Sequence, residues 1–299
     1  MERGANVDAR DSGALIAALM SGHEDTVALL EAKCTNKLTS EQLNNALIRA
    51  CYGENFRDGN VPAIEMLLER GADIDARDGG ALSAVLEHGN KRAVALLEAK
   101  GAKKLTLEQL NNALIRVCCD GSFGFNVYAA IDMLLEQGAD VNTRNSGALT
   151  AALEYGSKAL VDTLEAKGAN KLTLEQLNGT LIRACQRHCL EDPDYFKARR
   201  AIVLLLDRGA DINTDDSSPF LEALLRGDVE IAILLEDMGA EIPPLARLND
   251  ALIGIREQRC PSARTVEILV RCGADIDAGN KGSWPSTLLH FNRPEIFSD

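Results

Sequence analysis

Aromatic residues are scarce in this sequence, at 4% of 299 positions, with a single tryptophan, Trp284. An interior cannot be built around large rings. Hydrophobic residues still make up 46%, so a sizeable core must come from Ala, Leu, Ile and Val, which favour close helix packing through small side chains. Basic residues are in deficit, 32 against 45 acidic, for a net charge of −13. That balance repels phosphate backbones and anionic lipid surfaces, so neither nucleic acid nor a membrane is expected as a partner. No apolar run approaches the ~20 residues of a membrane-spanning helix. The first residues, MERGANVDAR, lack the apolar stretch of a signal peptide. A cytosolic or nuclear location is the expectation.

Motifs of catalysis are also missing. No G-x-S-x-G, P-loop or H-E-x-x-H string occurs, and no cofactor is expected. A binding role is therefore favoured over an enzymatic one. The alternative is an enzyme or small-molecule binder with a pocket lined by His88, Glu154, Tyr155 and nearby arginines.

Repetition is abundant. GANVDARDSGALIAALM, GADIDARDGGALSAVLE and GADVNTRNSGALTAALE begin at Gly4, Gly71 and Gly138, spaced by 67 residues. Between them LTSEQLNNALIRAC, LTLEQLNNALIRVC and LTLEQLNGTLIRAC begin at Leu38, Leu105 and Leu172. The chain divides into short and long repeats in alternation: 4–33, 34–70, 71–100, 101–137, 138–167, 168–208, 209–238 and 239–272, with an incomplete repeat over 273–299. Such self-similarity marks a stacked array in which each repeat shields its neighbour's apolar face.

Each repeat carries two apolar stretches of helical spacing, as in Leu82, Val85 and Leu86 followed by Val94, Leu96 and Leu97. A glycine such as Gly22, Gly89 or Gly156 breaks the two, and the Gly of G-A-D suits the left-handed position after the second. In the long repeats Thr39, Thr106 and Thr173 precede Gln42, Gln109 and Gln176 by three, the spacing of a capping box. Asn44, Asn111, Asn178 and Asn249 recur and are expected to bond backbone near the helix start. Ala46, Ala113 and Ala251, with Leu47, Leu114, Leu181 and Leu252, are expected to be buried between helices.

Helix, tight turn, helix, then L-L-x-x-G-A-D-[IV]-[ND] resembles the ankyrin repeat. IEMLLERGADIDARD and IDMLLEQGADVNTRN carry the likeness most clearly, and it extends from residue 4 to about 290. The resemblance implies an all-α fold, an ankyrin-repeat α-solenoid of stacked helix–turn–helix repeats, and a role in holding an unidentified protein or peptide. The family's T-P-L-H opening is nearly absent, Thr287-Leu288-Leu289-His290 being the nearest match. The short repeats lack about three residues of the β-hairpin finger relative to a ~33-residue repeat, so shortened fingers are expected. Trp284 is expected to fold over the open end of the array.

Two features point to where a partner would bind. The links between helices in three long repeats, Tyr52–Pro62, Cys119–Tyr128 and Gln186–Arg200, are expanded. They hold Tyr52, Phe56, Phe123, Phe125, Tyr128, Tyr195 and Phe196, seven of the chain's twelve aromatic residues. Loops on a rigid scaffold and aromatic anchors are common binding elements. The second feature is a ladder of Arg49, Arg116 and Arg183 at one position of the first helix, which the resemblance places on the concave face. Glu87, Glu154 and Glu222 lie near comparable positions of the short repeats, with His88 and Tyr155 beside them. The ladder reads either as salt bridges between repeats or as a groove that takes a partner's carboxylate through the arginine fork.

The eight cysteines do not form a metal-ligand pattern. Cys51, Cys118 and Cys185 occupy one repeat position, where a buried thiol acts as a small hydrophobe. The string Cys185, His188, Cys189 has no partnering pair at zinc spacing, and no metal is expected.

Overall fold

The computed structural model describes residues 9–34, 37–52, 60–119, 126–186, 195–226, 228–256 and 263–278. Among the described residues the chain is all-α, with sixteen helices and no strand. The helices are α1 (Ala9–Ser21), α2 (Glu24–Glu31), α3 (Ser40–Cys51), α4 (Val61–Glu69), α5 (Ala76–Glu87), α6 (Lys91–Ala99), α7 (Leu107–Cys119) and α8 (Val127–Glu136). They continue as α9 (Thr143–Glu154), α10 (Lys158–Ala166), α11 (Leu174–Gln186), α12 (Tyr195–Asp207), α13 (Thr214–Leu225), α14 (Val229–Asp237), α15 (Leu245–Arg256) and α16 (Ala263–Arg271). No helix among the described residues is long and apolar enough to cross a membrane.

Two compact bodies can be distinguished, Met1–Ala148 with Ala166–Ala169, and Leu149–Glu165 with Asn170–Asp299. In the first, α3 packs on α1, α4 and α5, and α5 packs on α6, α7 and α8. In the second, α11 packs on α12 and α13, and α13 on α14, α15 and α16. Within each body, odd-numbered helices thus stack on odd-numbered neighbours and pack on even-numbered ones.

Small residues make this stacking close. Ala46, Ala113 and Ala251 are buried, as are Leu47, Leu114, Leu181 and Leu252. Thr180 fills the same position in α11 and is fully buried; its hydroxyl donates to the Gln176 carbonyl at 2.6 Å. A buried hydroxyl needs such a partner.

The long repeats start their first helices on capping boxes. The Thr39 hydroxyl accepts from the Gln42 amide at 3.2 Å while the Gln42 side chain accepts from the Thr39 amide at 2.8 Å. Thr106 with Gln109 and Thr173 with Gln176 repeat the arrangement, satisfying two orphan amides at each helix start.

The short repeats have a left-handed turn where a β-hairpin finger would stand. Arg77, Asp78 and Gly79 hold φ of 54°, 54° and 80°, and Arg144, Asn145 and Ser146 hold 48°, 55° and 62°. Each non-glycine residue in that region costs ~1–2 kcal/mol. Bonds to the following long repeat offset part of that cost in the first turn. The Gln109 amide group donates to the Asp78 carbonyl at 2.6 Å, and the Asp75 carboxylate accepts from the Lys103 backbone amide at 2.9 Å. The incomplete last repeat beyond Ala278, Trp284 included, lies outside the described residues.

Candidate partner-binding face

The arginine ladder stands on the odd-numbered helices, and two of its rungs are closed by the chain's own glutamates. Arg116 on α7 grips Glu87 on α5 with both prongs: Nε to Oε2 at 3.1 Å and an outer nitrogen to Oε1 at 2.6 Å. Ser83 joins them, donating its hydroxyl to Glu87 at 2.7 Å and accepting from Arg116 at 3.3 Å. The Glu87 side chain is 9% exposed and that of Arg116 53%, so the carboxylate is sealed beneath the guanidinium. The hydrogen bond to Glu87 pushes the Arg116 pKa further up. In the second body Arg183 pairs with Glu154 through Nε, and its outer nitrogen donates to the Thr180 hydroxyl at 3.1 Å.

Both pairs join residues 29 apart in sequence. Counting from Gly209 as from Gly138 puts Leu225 at the Glu154 position, so Glu222 falls three residues short of it. The matching arginine position is Gly254. Carboxylate and guanidinium are thus replaced together there.

The first rung is different. The same offset sets Met20 opposite Arg49, and Ile16 stands where Ser83 does. Both are half-buried, while Arg49 is exposed. Arg49 makes no hydrogen bond or ion pair among the described residues, whereas Arg70 and Arg116 do.

Tyr52, which ends α3, and His88, which ends α5, meet edge to face with ring centroids 5.3 Å apart and planes at 83°. His88 Nδ1 lies 3.0 Å from the Ala84 carbonyl; a proton on Nδ1 satisfies that bond and leaves Nε2 as the acceptor. Burial, and then the charge of Glu87, push the Tyr52 phenol pKa up against the opposing pull of Arg116. Tyr52, Glu87, His88 and Arg116 therefore form one cluster, with Tyr52 still 42% exposed.

Other aromatic residues are placed differently from the loop expectation. Tyr128 belongs to the first turn of α8 and is 44% exposed; Phe196 belongs to the first turn of α12 and is 69% exposed. Helix α12 starts as early as Tyr195, because buried Ala198, Ala201 and Ile202 give that stretch an apolar helical face. Phe56, Phe123 and Phe125, with the Tyr195 side chain, lie outside the described residues. Tyr155 follows α9, beside Glu154.

Several repeating contacts escape a reading of local sequence. The Asn44 side chain accepts from the Asp73 backbone amide at 2.7 Å, Asn111 from Asp140 at 2.7 Å, Asn178 from Asp211 at 2.8 Å and Asn249 from Asp275 at 2.8 Å. These asparagines pin the start of the next short repeat rather than their own helix. A second ladder joins the even-numbered helices: Arg70 to Glu31, Gln137 to Glu98 and Arg208 to Glu165. Its signal in the sequence is the recurrence of those residue types at matching repeat positions. Leu107 and Leu174, which open α7 and α11, and Leu245, which opens α15, are each more than half exposed, at 58%, 57% and 57%. Cys51, Cys118 and Cys185 are buried, and burial pushes each thiol up to about 12. Among the described residues no cluster of His, Cys, Asp and Glu is arranged to hold a metal ion.

A family model for the ankyrin repeat matches residues 42–79. The chain is 24% identical over 274 residues to an ankyrin repeat and KH domain-containing protein of Caenorhabditis briggsae, a match covering 89% of this chain and 9% of that protein. It is 26% identical over 248 residues to the ankyrin repeat and KH domain-containing protein mask-1 of Caenorhabditis elegans, covering 80% and 9%. The chain spans about 9% of the length of the curated relatives it matches. The crystal structure of the human ASB11 ankyrin repeat domain aligns with a TM-score of 0.43 at 22% identity, over 71% of this chain and 98% of that one.

Proposed function

From the premise that the chain belongs to the ankyrin-repeat family, we propose that it is an intracellular scaffold that holds a protein partner on the face of its odd-numbered helices and the loops beside them. Ankyrin repeats are protein-interaction modules, and a stacked array offers side chains at fixed spacing without needing to reorganise. The observation that carries the reading is the side-chain set on that face. Exposed Arg49 and Tyr52 stand at the end of α3, a helix that starts on a capping box and is bonded to the next repeat through Asn44. Arginine and tyrosine are the residue types that anchor interfaces. The same role is proposed for Tyr128 and Phe196, exposed in the first turns of α8 and α12, while Phe56, Phe123, Phe125 and the Tyr195 side chain lie outside the described residues and enter from the sequence alone.

Affinity capture with the full chain tests this, comparing wild type with a variant carrying Arg49→Ala, Tyr52→Ser, Arg116→Ala and Arg183→Ala. The expected result is loss of specific partners with the helical circular dichroism preserved. Recovery of the same proteins by the folded variant would remove this face from the binding role.

A further inference from the structure

We propose that Arg49 is a recognition site for one carboxylate side chain of a protein partner, seated where the other rungs place the chain's own glutamate. This rests on the partner-binding reading above and names the chemistry that the face recognises.

The template is internal. At the Arg116 rung a carboxylate lies in the guanidinium fork with two parallel bonds, and a serine hydroxyl adds a third contact. At the Arg49 rung the backbone repeats but the carboxylate is gone. Ser12 has φ 61° where Gly79 has 80°, and Gly22 has φ 71° where Gly89 has 66°. Gly22 abuts Asn60 at the head of α4, as Gly89 abuts Asn126 at the head of α8. The Asn60 side chain donates to the Met20 carbonyl, which fixes the turn that faces Arg49. By the 67-residue equivalence two half-buried apolar residues, Ile16 and Met20, occupy the places of Ser83 and Glu87 at this joint.

Arg49 is exposed and pairs with no carboxylate among the described residues, so an incoming Glu or Asp can take its fork bidentately without displacing a partner. Tyr52 lies three residues beyond Arg49, on the same side of α3. Its ring is braced by His88 and is 42% exposed. The ligand that fits is a Glu or Asp side chain on a peptide whose neighbouring residue is apolar and rests on Ile16 and Met20.

The test selects a library of random linear peptides on the full wild-type chain. The expected peptides share an acidic residue at one fixed position, and changing it to its amide weakens binding by about tenfold, the worth of one charge-assisted pair. Arg49→Ala should lose a similar factor, and Arg49→Lys less. Met20→Glu should also lose it, because it supplies the missing carboxylate internally, while its thermal midpoint holds or rises. Arg49 is exposed, so the Arg49→Ala arm stands even if Met20→Glu fails to fold. Selected peptides that bind Arg49→Ala as tightly as wild type overturn the inference and leave the partner-binding reading standing. Failure of any peptide to be enriched on wild type overturns both.

Discussion

Two glycines with nearly the same backbone hand separate conformational cost from packing cost. Gly89 turns the chain between α5 and α6 at φ +66°, and Gly101 ends α6 at φ +91°. A Cβ at Gly101 meets nothing within 4 Å. At Gly89 it would sit 2.4 Å from the Asn126 carbonyl oxygen, 2.9 Å from the Asn126 Cβ and 3.0 Å from the Ala130 amide nitrogen. Two of those atoms are backbone at the start of α8 and cannot swing aside. Gly101→Ala should therefore cost only the left-handed penalty, ~1–2 kcal/mol. Gly89→Ala adds overpacking of ~1–3 kcal/mol, for a total of about 2–5 kcal/mol. Urea unfolding followed by helical circular dichroism reads both, with the slope serving as a check that the unfolded states match. Equal losses for the two variants would refute the argument that helix α8 docks against the Gly89 turn.

The asparagine bonds and the buried thiols give two further predictions. Asn111→Ala leaves the Asp140 amide without its acceptor and should cost about 1 kcal/mol, with faster hydrogen exchange at Asp140; unchanged exchange there would show that the bond contributes nothing. Cys51, Cys118 and Cys185 should resist thiol reagents until the chain unfolds, since burial holds their protons up to about pH 12. The same shift fixes a pH dependence. Unfolded thiols ionise near 9.0, so above that value the unfolded state binds fewer protons than the folded one. Stability should fall as pH rises from about 9 to 12, and the triple Cys→Ala variant should show a shallower fall. An identical slope in that variant would contradict the burial.

Features that depend on short-range sequence were legible from the start. The capping boxes need residues three apart, and the buried Ala46, Ala113 and Leu114 follow from one helix face. Contacts set by how repeats dock were less so. The asparagines looked like local helix-start residues, yet their partners lie in the next repeat, 29 positions on for Asn44 and 33 for Asn178. Glu222 looked like a rung, but the register from Gly209 gives that place to Leu225. The left-handed turns were hidden for another reason. Asp78 and Asn145 are of types that tolerate positive φ, but Arg77 and Arg144 beside them are not, so a left-handed run of three residues is not signalled by composition. Which arginines are occupied becomes legible only after the repeats are put in register, which sets Met20, Glu87 and Glu154 opposite them. Arg49, Arg116 and Arg183 are equivalent by position, and only their neighbours across the joint distinguish them.

Two kinds of joint recur. Two short repeats meet the following long one through glutamate and arginine, Glu87 with Arg116 and Glu154 with Arg183; a long repeat meets the following short one through asparagine and a backbone amide, as in Asn111 with Asp140. Excising a single repeat would therefore press together two ends that were never matched. Removal or duplication of a 67-residue doublet would leave every seam intact. The tile from which such a chain can be lengthened or trimmed is the pair, so its length should change, in the laboratory or in descent, in steps of two.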